Sequence, residues 1–425
     1  MSDWKMLKLN EVFKIARGGS PRPIKDFLTD SLDGINWIKI GDTKNVQKYI
    51  YETKEKIKKE GIKKSLIVKE NDFILSNSMS FGRPYIMKTK GCIHDGWLLM
   101  RSKKENTSID FMYYVLSSEE VKKQFSSRAS GSTVQNLNIK LVETVNVPFP
   151  PFLEQQKIAN ILSTVDAKLE NIAQQIQTTE QLKKGLMQQL LSGKYNVLEN
   201  RPYTNEELKD SPLGRVSKEW EVVKIETLLN ENRIISHLDG NHGGLYPKSH
   251  EFSNEGTPYI SANSFLNNKV NFNKCKRLPL NRALKFKKGI AKNGDILFAH
   301  NATVGPVAFL KTELDFVILS TTATYYRLDN KTIYNRYWLY FLDSFYFKQQ
   351  YQKVMGQSTR NQVPITTQRK FYSILPNFKE QQKIATILSA VDTKIEQLLT
   401  KKDYYTQLKK GLMQQLLTGK IRVKV

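Results

Sequence analysis

Two long stretches of the chain carry apolar residues at alternating steps of three and four. In the first, Ile158, Leu162, Val165, Leu169, Ile172 and Ile176 follow one another. This is the seam of a coiled coil, in which every 3.5th position is apolar. The stripe resumes at Leu182, Leu186 and Leu190 after one short step, which shifts the seam. In the second stretch the stripe runs Ile384, Leu388, Val391, Ile395, Leu398, then Lys402, Tyr405, Leu408, Leu412 and Leu416. Neither stretch contains Pro, and each closes on a Ser/Thr-Gly-Lys stop at Gly193 or Gly419. The pattern predicts two helices, over 153–194 and 379–420. Roughly 38 residues at ~1.5 Å each make a rod of ~57 Å.

The two stretches are copies of each other. Residues 154–194 and 380–420 align without a gap and match at 26 of 41 positions. Helix pairing alone accounts for matches on the seam. It does not account for Gln155, Gln156, Lys157, Lys183, Lys184, Gln188 and Gln189, which recur as Gln381, Gln382, Lys383, Lys409, Lys410, Gln414 and Gln415. A recent duplication of the whole chain would keep them too, but the segments between the helices have diverged widely. These off-seam residues are therefore candidates for a second surface that docks two copies of one partner.

The segments before the helices share weaker landmarks. Each opens on Trp and an apolar–Lys alternation, from Trp4 or Trp220. Each has an early strand-like piece (35–42, 257–264) and an Asp before a short apolar strand, Asp72-Phe-Ile-Leu or Asp295-Ile-Leu-Phe. A polar turn follows at 76–84 or 299–306. Then come an aromatic-rich helical stretch, 111–125 or 334–352, and a small-polar loop, 130–138 or 355–363. Short strands with one or two helices per unit predict an α/β or α+β domain in each half, a twisted β-sheet with helices. The boundaries are a first domain at 1–152, a helix at 153–194, and a Pro- and Gly-marked linker at 195–216. A second domain at 217–378, a helix at 379–420 and a tail at 421–425 complete the chain.

Charge narrows the function. The 66 Lys and Arg against 41 Asp and Glu leave a net charge of +25 and a pI near 9.7. A field of that size calls for an anionic partner, and nucleic acid is the commonest. The basic residues are spread along the chain, which suits a long groove or two separated sites. No run of ~18 apolar residues is present, which excludes a spanning helix. The N-terminal residues have no apolar core of signal-peptide type, and Cys92 and Cys275 are the only thiols. The expected location is the cytoplasm.

Several catalytic motifs are missing. There is no phosphate-binding Gly-x4-Gly-Lys-Ser/Thr and no Gly-x-Gly-x-x-Gly after a strand. The Asn/Asp-Pro-Pro-aromatic motif of amino-methyltransferases is absent. Its nearest match, Phe149-Pro150-Pro151-Phe152, has no side chain to accept from an amino group. His237, His242 and His250 cluster on a Gly-rich segment without a nearby Cys, which favours a surface loop or nucleic-acid contact over a metal site. No metal or cofactor is expected in this chain.

Two divergent domains, each closed by a Glu-Gln-Gln-Lys-Ile-Ala helix ending Lys-Lys-Gly-Leu-Met-Gln-Gln-Leu-Leu-(Ser/Thr)-Gly-Lys, resemble the specificity subunit of type I restriction–modification systems. The lead-in Val147-Pro-Phe-Pro-Pro-Phe-Leu-Glu-Gln-Gln and the linker Leu208-Lys-Asp-Ser-Pro-Leu-Gly-Arg are similar to that family's. The second lead-in departs from the first, with Asn377-Phe378 in place of Pro151-Phe152. The resemblance implies a non-catalytic reader of double-stranded DNA. Two target-recognition domains would each read half of a bipartite, asymmetric site. Two long antiparallel coiled-coil helices, related by a pseudo-twofold, would separate them and set the spacing. Two modification subunits would bind around the helices, with S-adenosylmethionine for adenine-N6 transfer, and restriction subunits using ATP and Mg would complete the nuclease.

Candidate DNA-reading residues lie on the polar loops, where Arg, Asn, Gln and Ser/Thr can meet base edges and phosphates. In the first domain they are Arg17, Ser20, Arg22, Asn77, Ser78, Arg83, Arg128, Ser132, Thr133 and Gln135. In the second they are Arg233, His242, His300, Asn301, Thr303, Gln357, Ser358, Thr359, Arg360 and Asn361. The aromatics Tyr113, Tyr114, Tyr337, Trp338 and Tyr340 sit at helical spacing and are assigned to the core. Three rival readings stay open: a specificity subunit of a related type II or phage-borne system, a self-contained methyltransferase or nuclease, and a coiled-coil adaptor whose charge serves solubility.

Overall fold

The computed structural model describes residues 4–44, 46–77, 82–129, 137–356 and 361–424. The chain forms two compact units, and their limits do not follow chain order. One holds residues 1–174 and 400–425, the other 175–399. Each long helix therefore contributes residues to both units, where the sequence pattern set the helices apart as elements of their own.

In the first unit, β1 (Lys5–Lys8) pairs antiparallel with the lead-in strand Asn146–Phe149. The main sheet runs β2 (Phe13–Arg17), β3 (Phe73–Ser76), β4 (Pro84–Met87) and β5 (Trp97–Ser102), in spatial order β2–β5–β3–β4 with the short strand Tyr49–Ile50 beyond. Strand β5 is apolar on both faces because it has two cores to fill. Leu98 and Met100 join Phe13, Phe73, Phe111 and Tyr114 beneath the helices. Trp97 and Leu99 face Ile38, Tyr85 and Ile93 on the side of a second, five-stranded sheet. The helical stretch expected at 111–125 is two helices, α1 (Ile109–Leu116) and α2 (Glu119–Ala129). The buried Ser118 breaks it by accepting from the Val121 N–H at 3.3 Å. A short helix α3 (Ile139–Glu143) then leads toward α4 (Phe152–Leu190), the first long helix.

The second unit repeats this plan. Strand β6 (Glu221–Lys224) pairs with the lead-in strand Tyr372–Leu375. The sheet of β7 (Ile234–Asp239), β8 (Ile296–Asn301), β9 (Thr303–Phe309) and β10 (Ala323–Leu328) has the order β7–β10–β8–β9, with a hairpin of Phe265–Leu266 and Lys269–Val270 added at its edge. The aromatic stretch again breaks at a serine. Ser344 separates α5 (Asn335–Asp343) from α6 (Phe345–Met355) and accepts from the Phe347 N–H at 3.4 Å. Tyr337, Trp338 and Tyr340 are buried here, as Tyr114 is in the first unit, while Tyr113 is half-buried against the core. After α7 (Ile365–Gln368) comes α8 (Phe378–Leu416), the second long helix. The linker is folded onto this unit. It forms the hairpin of Tyr195–Asn196 with Arg201–Pro202, and Tyr203 donates to Glu380 at 3.1 Å.

Within each unit the two long-helix segments run antiparallel. In the first, Ile158 and Leu162 of α4 pack with Leu412 and Leu416 of α8 and with the following Leu417 in one core, and Asp166 bonds Lys409. In the second, Ile384 and Leu388 of α8 pack with Leu186 and Leu190 of α4 and with the following Leu191, and Asp392 bonds Lys183. Both helices stop three residues before the expected glycine. Gly193 and Gly419 lie in the turns beyond, with φ of 69° and 72°, a conformation that suits glycine.

Candidate nucleic-acid interface

Several candidate residues of the first unit are organised by one acidic residue. Arg17, at the end of β2, donates through Nε to the Asp95 carbonyl at 3.1 Å. Ser20 donates to Asp95 Oδ1 at 3.1 Å, and Arg22 lies 3.6 Å from Oδ2. The Asn77 amide donates to the Asp95 carbonyl at 2.8 Å. Four of the candidate residues thus converge on Asp95, which the sequence reading missed. The signal available was a carboxylate in the loop between two strands of a strongly basic chain. Partial burial works against the Asp95 charge, but the Ser20 hydroxyl, the loop backbone and the charges of His94 and Arg22 outweigh it and hold the carboxyl below its usual range. Arg22 keeps 82% of its side chain exposed, free to meet a phosphate. Asn77 is a correction. It is 4% exposed, and its amide is spent on the Asp95 loop, so it shapes the edge rather than reaching a base. Arg83 is exposed but tethered, with Nη2 donating to the Val46 carbonyl at 3.0 Å.

In the second unit, Asn301 and Thr303 flank the tip of the β8–β9 hairpin, where Ala302 takes a φ of 63°. Asn361 meets this tip: its carbonyl accepts from the Ala302 N–H at 2.9 Å, and Gln362 bridges to Asn301. Thr303 and Asn361 are exposed. The small-polar loops end at equivalent places in both units. The Leu137 N–H donates to the Asn77 carbonyl at 3.0 Å, and the Val363 N–H donates to the His300 carbonyl at 2.8 Å. Ser78, Ser132, Thr133, Gln135, Gln357, Ser358, Thr359, Arg360 and the side chain of Arg128 lie outside the described residues.

Three candidates in this unit are corrected by burial or pairing. His300 is 1% exposed and His242 is 9% exposed. The His242 ring sits against Phe286 with Nε2 2.7 Å from the Leu319 carbonyl, so it is a core residue. Arg233 bonds Glu221 at 2.7 Å and Glu231 at 3.4 Å, which ties β7 to its neighbours. Burial pushes the pKa of both His242 and His300 below the usual histidine value, so both rings are neutral near pH 7.

The matched off-seam residues of the long helices divide into two groups. Gln155 is buried: its Oε1 accepts from the Ser108 N–H at 2.9 Å, and its Nε2 donates to the Pro150 and Asn106 carbonyls. Gln381 does the same with the Tyr334 N–H and the Pro376 and Thr332 carbonyls. Lys183 and Lys409 are held by Asp392 and Asp166. These four residues lock each unit internally, which corrects their assignment to a partner. Gln156, Lys157, Lys184, Gln188, Gln189, Gln382, Lys383, Lys410, Gln414 and Gln415 are exposed. Each unit displays the same composite of them, one set from the start of one helix and one from the end of the other. The Asn377 departure also has a local reason. Its side chain accepts from the Glu380 N–H at 3.0 Å and so caps α8, a task Pro151 cannot perform for α4.

A family model described as the type I restriction modification DNA specificity domain matches residues 1–181 and 217–403. The chain belongs to this family. It is a DNA sequence-specificity subunit of a type I restriction–modification system. Its relatives include the MjaVIII specificity subunit of Methanocaldococcus jannaschii, 26% identical over 99% of this chain and 94% of that one. The EcoKI specificity subunit of Escherichia coli is 25% identical over 44% of this chain and 37% of its own length. Among solved structures, the specificity subunit from M. genitalium shares the fold with a TM-score of 0.59 at 16% identity, covering 98% of this chain and 96% of that one. A chain from a structure concerned with complex assembly and conformational transition of the type I system gives a TM-score of 0.55 at 14% identity, covering 98% of both. No helix among the described residues of this specificity subunit is long and apolar enough to cross a membrane.

Proposed function

We propose that each unit reads one half of a bipartite, asymmetric duplex site, and that the chain itself performs no chemistry. The observation that carries this is that the same end of the main sheet bears different polar groups in the two units. The first unit offers two arginines and a serine gathered by Asp95. The second offers an Asn–Ala–Thr hairpin tip joined to Asn361. Unlike donors select unlike bases, so the two halves differ. Arginine and lysine contacts to phosphate supply most of the affinity and make it salt-dependent.

In this reading two modification subunits dock on the two exposed Gln/Lys composites and bring S-adenosylmethionine for adenine-N6 methylation. Restriction subunits supply ATP-driven cleavage with Mg, all in the cytoplasm. The test is to co-express the chain with its modification subunits and map methylated adenines across the host genome. A split motif with two different halves is expected. A palindrome, or methyl transfer to DNA by the isolated chain, overturns the reading.

A further inference from the structure

The second unit contains a buried polar network beneath its hairpin. Gln368 Oε1 accepts from the Tyr326 hydroxyl at 2.7 Å and lies 3.2 Å from His237 Nε2. Gln368 Nε2 donates to the Val363 carbonyl at 2.8 Å, and His300 Nδ1 lies 3.2 Å from the same oxygen. Arg369 Nη2 donates to the His237 carbonyl at 2.9 Å. The His237 ring stacks on Tyr326 with centroids 4.1 Å apart. None of Gln368, Tyr326, His237 and His300 is more than 1% exposed.

The acceptors fix the tautomers: Nε2–H on His237 and Nδ1–H on His300. The other ring nitrogens are then bare acceptors. They and Arg369 Nε have no partner among the described residues. Burying polar groups of this kind in place of hydrocarbon has a desolvation cost.

The first unit shows that the architecture does not require this polarity. Ile15 pairs with Met100 across β2 and β5, as His237 pairs with Tyr326 across β7 and β10. Val142 holds the place on α3 that Gln368 holds on α7. Ile15, Met100 and Val142 lie together in the apolar core. One copy of the fold therefore fills these three positions with hydrocarbon, and the other fills them with a polar network.

What the network grips is Val363, two residues after Asn361. Its N–H is bonded to His300, and its carbonyl is held by Gln368 and His300. We propose that His237, Tyr326, Gln368 and His300 are positioning residues for the second half-site. Through Val363 they fix Asn361 and Gln362 against the Asn301–Thr303 tip and so set which bases that edge accepts. A network of directional bonds specifies one placement, where an apolar contact tolerates several. The inference rests on the half-site reading proposed above.

The test is the triple substitution His237→Ile, Tyr326→Met and Gln368→Val in the full chain, which installs the first unit's own solution. The wild-type and variant complexes with modification subunits are compared by methylation mapping and by competition with single-mismatch duplexes. The variant is expected to unfold in urea at the wild-type midpoint or above it, because apolar replacement of a buried polar cluster is commonly neutral or stabilising. The first half-site should be unchanged. Discrimination at the second half-site should fall about tenfold or more. Unchanged discrimination at the second half-site overturns the proposal. If the triple variant fails to fold, Tyr326→Phe decides, since it removes one hydroxyl. It should relax the second half-site alone, and full retention of discrimination overturns the proposal. A wild-type complex that yields no split motif removes the underlying reading itself, a result visible before any variant is examined.

Discussion

Lys409 Nζ lies 2.5 Å from Asp166 Oδ1, and the Tyr114 hydroxyl donates to Asp166 Oδ2 at 2.8 Å. One carboxylate thereby ties together a reading-domain helix, one long helix and a segment of the other. Lys183, Asp392 and Tyr340 repeat the arrangement at 2.7 Å and 2.7 Å. Burial first, and then the neighbouring carboxylate, push both tyrosine hydroxyls well above their usual pKa, so each acts as a donor at any physiological pH. Lys409→Met is expected to cost about 1–3 kcal/mol in urea unfolding, because a half-buried charged hydrogen bond is lost. A double-mutant cycle with Tyr114→Phe should give a coupling of about 0.5 kcal/mol or more. Strict additivity would show that the three groups do not act as a unit.

Gln155 and Gln381 each make three hydrogen bonds to backbone. Gln155→Leu leaves the Ser108 N–H and two carbonyls without their partner, at a cost of about 2–4 kcal/mol. The exposed neighbour Gln156→Leu should cost less than about 0.5 kcal/mol. Capture of modification subunits should respond in the opposite order, with Gln156 and Lys157 mattering once the fold is intact. Thermal unfolding and co-purification of both variants separate the two roles.

These residues show where the sequence was legible. The apolar stripe placed the starts of both long helices within one residue and their ends four residues too late, because burial of one face leaves a periodic trace while the closing turns at Gly193 and Gly419 do not. The Asp72 and Asp295 landmarks placed β3 and β8 for a similar reason. Each carboxylate is fixed by an arginine on the adjacent strand, Arg101 or Arg327, and by the backbone N–H of Lys69 or Lys292. The roles of matched polar residues were not legible. Gln155 and Gln156 are adjacent and identical in type, and the 100° turn between them sends one into the core and the other to solvent. His300 looked like a loop reader because its neighbours are polar. Its burial is set by Val363 and Gln368, distant in sequence and packed against it only after folding.

Two equivalent carboxylates have opposite environments. Glu154 accepts from Arg422 at 2.7 and 2.8 Å and from Trp4 at 3.0 Å, and the Arg422 guanidinium holds its pKa below the usual value. Glu380 has Trp220, Tyr203 and Asn377 as donors and no ion-pair partner among the described residues, and burial holds its pKa above the usual value. The signs differ accordingly. Glu154 contributes stability that is present above its unfolded pKa near 4.5 and is lost as pH falls through its lower folded value. Glu380 contributes stability present below its unfolded pKa and lost as pH rises through its higher folded value. At pH 7, Glu154→Gln should cost about 1–3 kcal/mol by removing the charge from its hydrogen bonds with Arg422, and Glu380→Gln should cost less. Hydrogen exchange on peptides from each unit should show the first unit weakening as pH falls below the unfolded value near 4.5, and the second gaining as pH falls toward that value from above. A Glu380→Gln cost at pH 7 equal to that of Glu154→Gln would contradict this assignment.

In the half-site reading, Asp95 is a negative charge at an edge that would meet phosphates. It holds Ser20 and Arg22 in place, yet it opposes the approach of DNA. Asp95→Asn removes the opposition and loosens the hold. Affinity for unrelated duplexes should rise about two- to fivefold at low salt, the scale of one exposed ion pair. The plot of log affinity against log salt should steepen by at most ~0.9, the slope of one added phosphate contact. Affinity for the cognate duplex should rise less or fall, because Arg22 and Ser20 lose the anchor that aims them. The ratio of cognate to unrelated binding, followed by fluorescence anisotropy across salt, is the deciding quantity. It should drop, and the loss should map to the half-site read by the first unit. A ratio that stays at the wild-type value would mean that Asp95 does not orient the arginines for base choice.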